Sequence, residues 1–401
     1  MAADNSRSLL IPQGVTIAEG PSGRSVRVGR GEVAYEAFVP NPLPAPLTLT
    51  RRLLTTLSEA DRALGELAGL GRMIPNPDLL ISPFIRMEAV LSSKIEGTEA
   101  TMTEVYSFEA ELSTLPTRRR TRIPPDVIEV INHIDATRYG LVRINELPIS
   151  LRLIKELHER LMRGVRGEDK SPGEFRRTQN WIGSPGCLLK DATYVPPPVP
   201  EMERSLDRLE TYLHAEDDLP PLIRLAMIHS QFEMIHPFID GNGRIGRLLI
   251  VLLMVHWNLL PIPLLYLSAF FERNRETYYE RLLGVSARGE WEEWITFFLQ
   301  GIGEQARDAT TRAKKLQDLQ AEWRGQVTSP RSSTLTLRLV DGLFESPVVR
   351  VPRAQALLGV TYPSAKQNID KLVQAGILEP YGDRTYSRAW IAPRILELID
   401  G

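Results

Sequence analysis

The sequence predicts a mainly α-helical protein with a small β-hairpin flap and a C-terminal winged helix-turn-helix, and three observations carry that expectation. Apolar residues recur at three- and four-residue spacings through most of the chain, the period of helices with one buried face. One conspicuous non-helical stretch, Trp181 to Pro200, ends in Pro196-Pro197-Pro198-Val199-Pro200. Proline removes ladder donors and suits an exposed edge, so this stretch reads as a hairpin or flap. From Ser329 onward the rhythm is helix, helix, turn, helix and then two short strands. The 401 residues, 43% hydrophobic and 24% charged, correspond to two or three ordinary globular domains.

In chain order, residues 1 to about 50 are rich in Gly and Pro, with Pro40, Pro42, Pro44 and Pro46 alternating. They read as an extended arm that carries a short strand or two between Val26 and Phe38 and drapes over another part of the molecule. From Thr50, Leu53, Leu54, Leu57, Leu64, Leu67 and Leu70 mark a helix that ends at the prolines between Met73 and Asp78. Further helical stretches run from about Pro83 to Ser93, Thr98 to Leu112 and Pro125 to Tyr139. The basic run Arg118, Arg119, Arg120 and Arg122 between the last two reads as a solvated loop. Two strongly apolar helices, Leu222 to Ile235 and Arg244 to Leu260, follow the flap. Gly303 to Gln326 reads as a connecting helix, with Ala306, Ala309, Ala313, Leu316, Leu319 and Trp323 on one stripe. Helices over Thr334 to Phe344, Pro352 to Leu358 and Pro363 to Gln374 then lead into a wing, Ile377 to Tyr381 and Thr385 to Ile391, joined through Gly382-Asp383. The resulting organisation is an N-terminal region over 1–112, a core over 113–302, a connecting helix over 303–328 and a winged helix-turn-helix over 329–401.

With 48 Lys+Arg against 50 Asp+Glu the net charge is −2, so no chain-wide field points to nucleic acid or a membrane surface. The single cysteine, Cys187, cannot form an internal disulfide, and the opening MAADNSRSLL lacks the basic start and apolar stretch of a secretory signal. A cytoplasmic setting is the expectation. The longest apolar run, Leu248 to Val255, is far short of the roughly 20 residues of a membrane span.

The chemistry concentrates in His236-Pro237-Phe238-Ile239-Asp240-Gly241-Asn242-Gly243-Arg244-Ile245-Gly246-Arg247, between the two apolar helices. Gly241 and Gly243 free the backbone to bend and to present N–H groups at a helix start, where the dipole adds positive character; this is an anion cradle. Arg244 and Arg247 at the same helix start oppose the dipole unless an anion neutralises them, and both are suited to fork onto phosphate. Asp240 supplies a hard oxygen ligand, which suits Mg²⁺ held jointly with substrate phosphates. His236 is the only side chain of the loop whose ordinary pKa, about 6.5, lets it take a proton at neutral pH, which makes it a candidate general base. The stretch Gly241 to Gly246 matches the dinucleotide-binding pattern G-x-G-x-x-G, but a helix precedes it rather than a strand, so that reading fails. No Lys-Ser/Thr follows at the spacing of a phosphate-binding P-loop.

These residues resemble the Fic-domain signature, H-x-F-x-(D/E)-G-N-G-R-x-x-R, at every specified position. Further landmarks are Gly173-Glu174-Phe175-Arg176, Trp181-Ile182-Gly183, Tyr194-Val195-Pro196-Pro197, and Tyr278-Tyr279 followed by Trp291 to Phe298, so the resemblance covers most of 80 to 300. Upstream, Ser92-Ser93-Lys94-Ile95-Glu96-Gly97 is similar to the family's inhibitory pattern (S/T)-x-x-x-E-(G/N). The resemblance implies an α-helical Fic core of the self-inhibited class, in which the region 1–112 carries the inhibitory helix. It implies protein adenylylation: AMP passes from ATP to a Ser, Thr or Tyr hydroxyl of a target protein, with self-modification as a further outcome. His236 would then remove the hydroxyl proton and Asp240 would hold Mg²⁺. Gly241 to Gly243 with Asn242 would form the anion hole, Arg244 and Arg247, flanking Ile245 and Gly246, would bind the outer phosphates, and Tyr278 and Tyr279 would border the adenine. Val195, Pro196, Pro197 and Pro198 would line the nucleotide site and align the target by strand addition. Ser92, Glu96 and Gly97 form the inhibitory element, in which Glu96 would pair with Arg247 and take the place of the γ-phosphate. Many relatives associate through the core, which implies a homodimer.

The rival class is a DNA-binding transcriptional regulator with a nucleotide-sensing core. Ser329 to Gly401 holds nine basic and seven acidic residues, a weak footprint for a duplex binder, although Lys366 and Arg384 stand where a winged helix touches DNA.

Overall fold

A computed structural model describes residues 20–31, 34–73, 77–112, 124–165, 167, 169–184, 186–328, 334–381 and 388–400. The arm forms an antiparallel hairpin of β1 (Gly23–Val28) and β2 (Tyr35–Pro40), with Val26 opposite Ala37. Helices follow in order: α1 (Arg51–Met73), α2 (Asp78–Ile95), α3 (Met102–Leu112), α4 (Pro125–Arg143), α5 (Leu151–Leu161), α6 (Val199–His214), α7 (Pro221–Ile235), α8 (Asn242–His256), α9 (Ser268–Arg273), α10 (Arg275–Arg288) and α11 (Trp291–Val327). The C-terminal part comprises α12 (Thr334–Glu345), β3 (Val348–Arg350), α13 (Val351–Leu358), α14 (Tyr362–Gln374), β4 (Glu379–Tyr381), β5 (Ala389–Ile391) and α15 (Pro393–Asp400).

The centre is the pair α7 and α8. Leu222, Ile223, Leu225, Ala226 and Met227 of α7, and Ile245, Leu248, Leu249, Ile250 and Leu252 of α8, are all buried. Helices that are apolar on every side are stable only when covered on every side. Accordingly α2, α4 and α5 pack against α8, while α6, α10, α11 and β2 pack against α7. The polar turn between α7 and α8 is therefore held rigidly from both ends. Ser150 caps α5, its Oγ accepting the Leu153 N–H at 3.4 Å, and the stripe Leu153, Ile154, Leu157 and Leu161 docks that helix beside the turn.

Three sequence expectations change on inspection. The separate connecting helix expected from Gly303 is the second half of α11, one helix of 37 residues. Its buried stripe from Ala306 to Trp323 continues without a break from Trp294, Phe298 and Ile302, so no packing signal marks residue 302 as an end. Helix α2 begins at Asp78 and carries Pro83 inside it, because Leu80, Phe84 and Ile85 are buried and their packing outweighs one missing donor. Among its described residues the flap contains a single antiparallel bridge, Ile182 with Tyr194, and a 3₁₀ turn at Leu189–Asp191. Its prolines leave too few N–H groups for a longer ladder.

The C-terminal elements run helix, strand, helix, helix, strand, strand, helix, with the strands in the antiparallel order β3-β5-β4. The three helices α12 to α14 and the strands β4 and β5 fall where the sequence reading put them, while β3 and α15 were not anticipated. Trp323 of α11 packs on Phe344 with ring centroids 5.5 Å apart, and Arg312 donates to the carbonyls of Leu398 and Ile399 at 2.9 and 2.8 Å. Lys366 pairs with Asp370 on its own helix and lies over the Trp390 ring. Arg384, the wing tip and the run Arg118 to Arg122 lie outside the described residues. Among the described residues no helix is long and apolar enough to cross a membrane.

Helix α4 approaches α8 closely at Gly140, where a Cβ would stand 2.8 Å from Leu252 Cδ1 and 3.1 Å from Leu157 Cδ2. Gly140→Val is expected to lower the unfolding free energy by about 1–3 kcal/mol through overpacking, read from urea denaturation. An unchanged midpoint and slope would contradict this packing.

Candidate active site

The polar turn begins where α7 ends, at His236 in the left-handed region with φ 47°. Few residues other than glycine adopt this conformation, and here it turns the imidazole out of the helix toward the pocket. The turn ends at Gly241, φ 80°, which precedes α8. Asn242 spans the turn rather than pointing from it: its Oδ1 accepts the Phe238 N–H at 2.8 Å and its Nδ2 donates to the Phe238 carbonyl at 2.9 Å. His158 of α5 stacks on Phe238, centroids 3.7 Å apart. Its Nδ1 accepts the Gly173 N–H at 2.9 Å, so the proton sits on Nε2 and is donated to the Asp240 carbonyl at 3.0 Å. The Fic-like loop is thus braced by residues outside the motif.

His236 donates from Nδ1 to the Glu233 carbonyl at 3.3 Å. A carbonyl only accepts, so Nε2 is left as the proton acceptor. Burial, and then the Arg176 guanidinium, lower the pKa of His236 to about 4, against the opposing pull of Glu96 and Asp240. The imidazole is neutral at pH 7, the form a general base requires.

The sequence argument demanded an anion for the two arginines of α8, and the protein supplies one for each. Arg247, 1% exposed, donates from Nε to Ser92 Oγ and from Nη2 to the Ser92 carbonyl, both at 2.9 Å. Nη2 also meets Glu96 Oε1 at 2.6 Å. Burial opposes the charge of Arg247 most strongly, but Glu96, Tyr278 and Tyr279 together outweigh it and raise the pKa. A Cβ on Gly243 would stand 2.4 Å from Glu96 Oε1 and 2.9 Å from Arg247 Nη1, so only glycine lets the carboxylate rest on the start of α8. Gly97, φ 94°, turns the chain away directly afterwards. Arg244 corrects the expectation that both arginines face phosphate. It forms a buried pair with Glu129 of α4 at 2.9 Å and reaches Asp240 at 3.4 Å, away from the pocket.

The pocket is lined by Glu96, Ile182, Thr193, Tyr194, Glu233, Met234, His236, Gly243, Arg247, Tyr278, Tyr279, Leu282, Leu283 and Ser286. Of the predicted residues it unites Glu96, His236, Gly243, Arg247, Tyr278 and Tyr279. Tyr278 bonds His229 Nε2 at 2.8 Å within an aromatic cluster, and burial raises its pKa. Asp240, Gly241 and Asn242 stand beside this lining in the turn; Ile245 is core, and Gly246 packs against His229 and Glu233. Val195, Pro196 and Pro197 do not line it. Their carbonyls already accept from the Phe38 N–H, from Gln179 Nε2 and from Arg176 Nη2, so this stretch is anchored inward. Pro198 begins α6 as its N-cap. Glu129, His158 and Glu233 are the residues that the motif reading missed, while Arg176 stood in the landmark Gly173 to Arg176 without an assigned role. The sequence offers for them only charged or polar positions within buried helical stripes or loops.

A magnesium ion would have to rest on Asp240. Its carboxylate is 17% exposed and loosely held, by Lys170 Nζ and Arg244 Nη2, each at 3.4 Å. Among the described residues no group of three His, Cys, Asp or Glu side chains forms a metal cluster. This donor set fits an ion that takes most of its ligands from water and substrate phosphates rather than from the protein.

Residues 54–142 match the model of the Fic/DOC family N-terminal domain, and residues 148–254 match that of the Fic/DOC family. The protein adenylyltransferase Fic of Drosophila grimshawi is 30% identical over 156 residues, 38% of this chain and 29% of the relative. That of Culex quinquefasciatus is 31% identical over 169 residues, 42% of this chain and 29% of the relative. The chain thus spans less than a third of the length of these relatives. A crystal structure of a Fic family protein from Desulfovibrio desulfuricans G20 shares the fold at TM-score 0.56 and 19% identity, covering 87% of this chain and 98% of that one. Fic-1 from C. elegans aligns at TM-score 0.51 and 19% identity, over 67% of this chain and 74% of that one.

Arg244 and Glu129 are each 4% exposed, so removing the carboxylate strands a buried charge. Glu129→Ala is expected to cost about 3–5 kcal/mol in urea denaturation. A loss below about 1 kcal/mol would show that Asp240 alone suffices for Arg244.

Proposed function

We propose, from the membership of residues 54–142 and 148–254 in the Fic/DOC family, that this protein is a protein adenylyltransferase restrained by its own Glu96. The observation that carries the reading is one pocket in which a neutral His236 faces Arg247, with the Glu96 carboxylate resting on Gly243. The relatives named as protein adenylyltransferases support ATP as the donor and a protein hydroxyl as the acceptor.

In this reading the target hydroxyl oxygen attacks the α-phosphorus of ATP, the bond from that phosphorus to the bridging oxygen breaks, and pyrophosphate leaves. His236 Nε2 takes the hydroxyl proton, fixed in the accepting tautomer by the Glu233 carbonyl. The N–H groups of Gly241 to Gly243 and the positive end of α8 face the charge that builds on phosphate. Arg247 holds the outer phosphates once Glu96 has left it. Arg244 is assigned to orient Asp240 rather than to touch phosphate, since Glu129 holds its other end. Mg²⁺ on Asp240 would offset negative charge on the α- and β-phosphates. Tyr278, Tyr279, Leu282 and Leu283 offer the apolar wall that a purine ring needs. In such chemistry positioning and charge stabilisation do most of the work.

Glu96 and a γ-phosphate compete for one guanidinium. At about 1.4 kcal/mol per tenfold, a restraint of a few kcal/mol suppresses turnover by two or more orders of magnitude. After incubation with ATP and Mg²⁺, Glu96→Gly is expected to gain the mass of AMP on the protein itself at about 100-fold the wild-type rate, and Glu96→Gly/His236→Ala to gain none. Intact mass spectrometry reads both. ATP bound by Glu96→Gly without any mass gain or AMP release would sink the reading.

A further inference from the structure

Arg176 lies outside the His236 to Arg247 motif and is 2% exposed, in the segment between α5 and the flap. Its guanidinium binds three carbonyls: Nε donates to His236 at 3.0 Å, Nη1 to Thr178 at 3.2 Å and Nη2 to Pro197 at 2.5 Å. Its own backbone N–H donates to the Pro237 carbonyl at 2.8 Å. One residue therefore joins the backbone that carries the candidate base to the flap. Asn180 Nδ2 assists by donating to the carbonyls of His236 and Phe238, at 3.3 and 2.8 Å.

Among the described residues no ion pair includes Arg176, unlike Arg244 and Arg247. Burial accordingly lowers its pKa to about 10. A charge buried with only neutral acceptors is costly, and a brace of carbonyls alone is within reach of a neutral amide side chain. The net charge therefore calls for a role beyond bracing, and of the titratable groups it acts on, Tyr35, Tyr194 and His236, the last is the candidate base. The other groups facing His236 are Glu96 from α2, Glu233 from α7, Asp240 from the turn, Arg247 from α8, Tyr278 and Tyr279 from α10, and Tyr194 from the flap. Their carboxylates favour the imidazolium; Arg176 opposes them from the carbonyl side.

We propose that Arg176 is a positioning residue of the transfer reaction: it locks the His236 backbone to the flap, and its unpaired charge extends to lower pH the range in which the imidazole accepts a proton. This rests on the adenylyltransferase reading above. A base works above its own pKa, so removing a neighbouring positive charge raises that pKa and moves the acid limb of activity to higher pH.

The test uses the full chain in the Glu96→Gly background, with pyrophosphate release as the rate. Arg176→Gln retains amide donors and removes the charge, whereas Arg176→Lys retains the charge and loses the fork. Arg176→Gln is expected to lower kcat about 10- to 100-fold, with KM for ATP within about threefold, and to move the acid limb of kcat/KM upward by about one pH unit. Arg176→Lys is expected to lower kcat and leave the limb in place. An arm independent of activity follows the imidazoles by NMR in protein labelled at its 6 histidines, with His236 assigned from the resonance lost in His236→Ala. His236 should titrate at higher pH in Arg176→Gln than in its parent. If the parent releases no pyrophosphate, the adenylyltransferase reading fails and the NMR comparison alone decides the electrostatic role. Equal His236 titration in parent and Arg176→Gln would overturn the proposal, whether or not the rate falls, because a brace without the charge effect would explain everything seen. Near-ultraviolet circular dichroism of both variants verifies that the comparison is made between folded proteins.

Discussion

The arrangement of the molecule around its pocket follows from one constraint, two guanidinium groups buried at the start of α8. The first turns of a helix already carry partial positive charge from their unpaired N–H groups, so buried arginines there need carboxylates close by. Glu129 answers for Arg244 and Glu96 for Arg247. To deliver Glu96, α2 must lie across the mouth of the polar turn, and its buried polar residues hold it there. Glu88, two turns before Glu96, accepts from the Ser268 N–H at 3.1 Å and from its hydroxyl. Ser92, one turn before it, takes two of the Arg247 donors. The glycine at position 243 is a consequence of the same constraint, because the carboxylate occupies the space of a side chain there.

The two ion pairs are not equivalent. Arg244 and Glu129 are each 4% exposed and sit on α8 and α4, two helices packed deep in the core. Water cannot replace either partner without opening that packing, so this pair is a fixed part of the fold. Glu96 is 19% exposed and opens onto the pocket, and the two bonds from Arg247 to Ser92 are made independently of the carboxylate. A second anion can therefore take over from Glu96 at a guanidinium that is already oriented. A preoriented donor set costs little reorganisation at the moment charge develops, which is how enzymes obtain most of their electrostatic stabilisation.

The helical character, the β1–β2 arm, the α7–turn–α8 centre and the three helices and two last strands of the C-terminal part were legible in the sequence, because each rests on local periodicity or on turn residues. The convergence of Glu96 with Arg247 across more than 150 positions was legible only through the family resemblance; no local pattern links α2 to α8. The fate of Arg244 was not legible. The dipole argument correctly demanded an anion, but a carboxylate one helix away in space and far away in sequence satisfies it as well as a phosphate does. His158, and the part played by Arg176 beyond its place in a landmark run, escaped notice for a similar reason. Each acts through backbone carbonyls of the motif, and carbonyls leave no trace in residue identity. The continuity of α11 was hidden by its change from bulky to alanine-rich packing, which reads as a boundary although the buried stripe persists.

Where Glu96 sits in α2 determines what its release requires. The body of the helix is gripped by α4, α9 and α12, and Ser92 and Ser93 are fully buried. Moving the helix as a whole would expose Leu80, Phe84, Ile85 and Met87, each a buried side chain whose exposure costs on the order of 1.5–3 kcal/mol. Glu96, however, is the C-cap rather than an internal residue, with φ −84° and ψ 2°, and Gly97 in the left-handed region follows it. Its backbone N–H bonds only to the carbonyl of Ser93 within the last turn. Side-chain rotation at Glu96 removes the carboxylate from Arg247 while the buried side chains of α2, Ile95 and Ser92 among them, stay in place. The fold thus separates the packing that holds the helix from the carboxylate that meets Arg247 at the pocket.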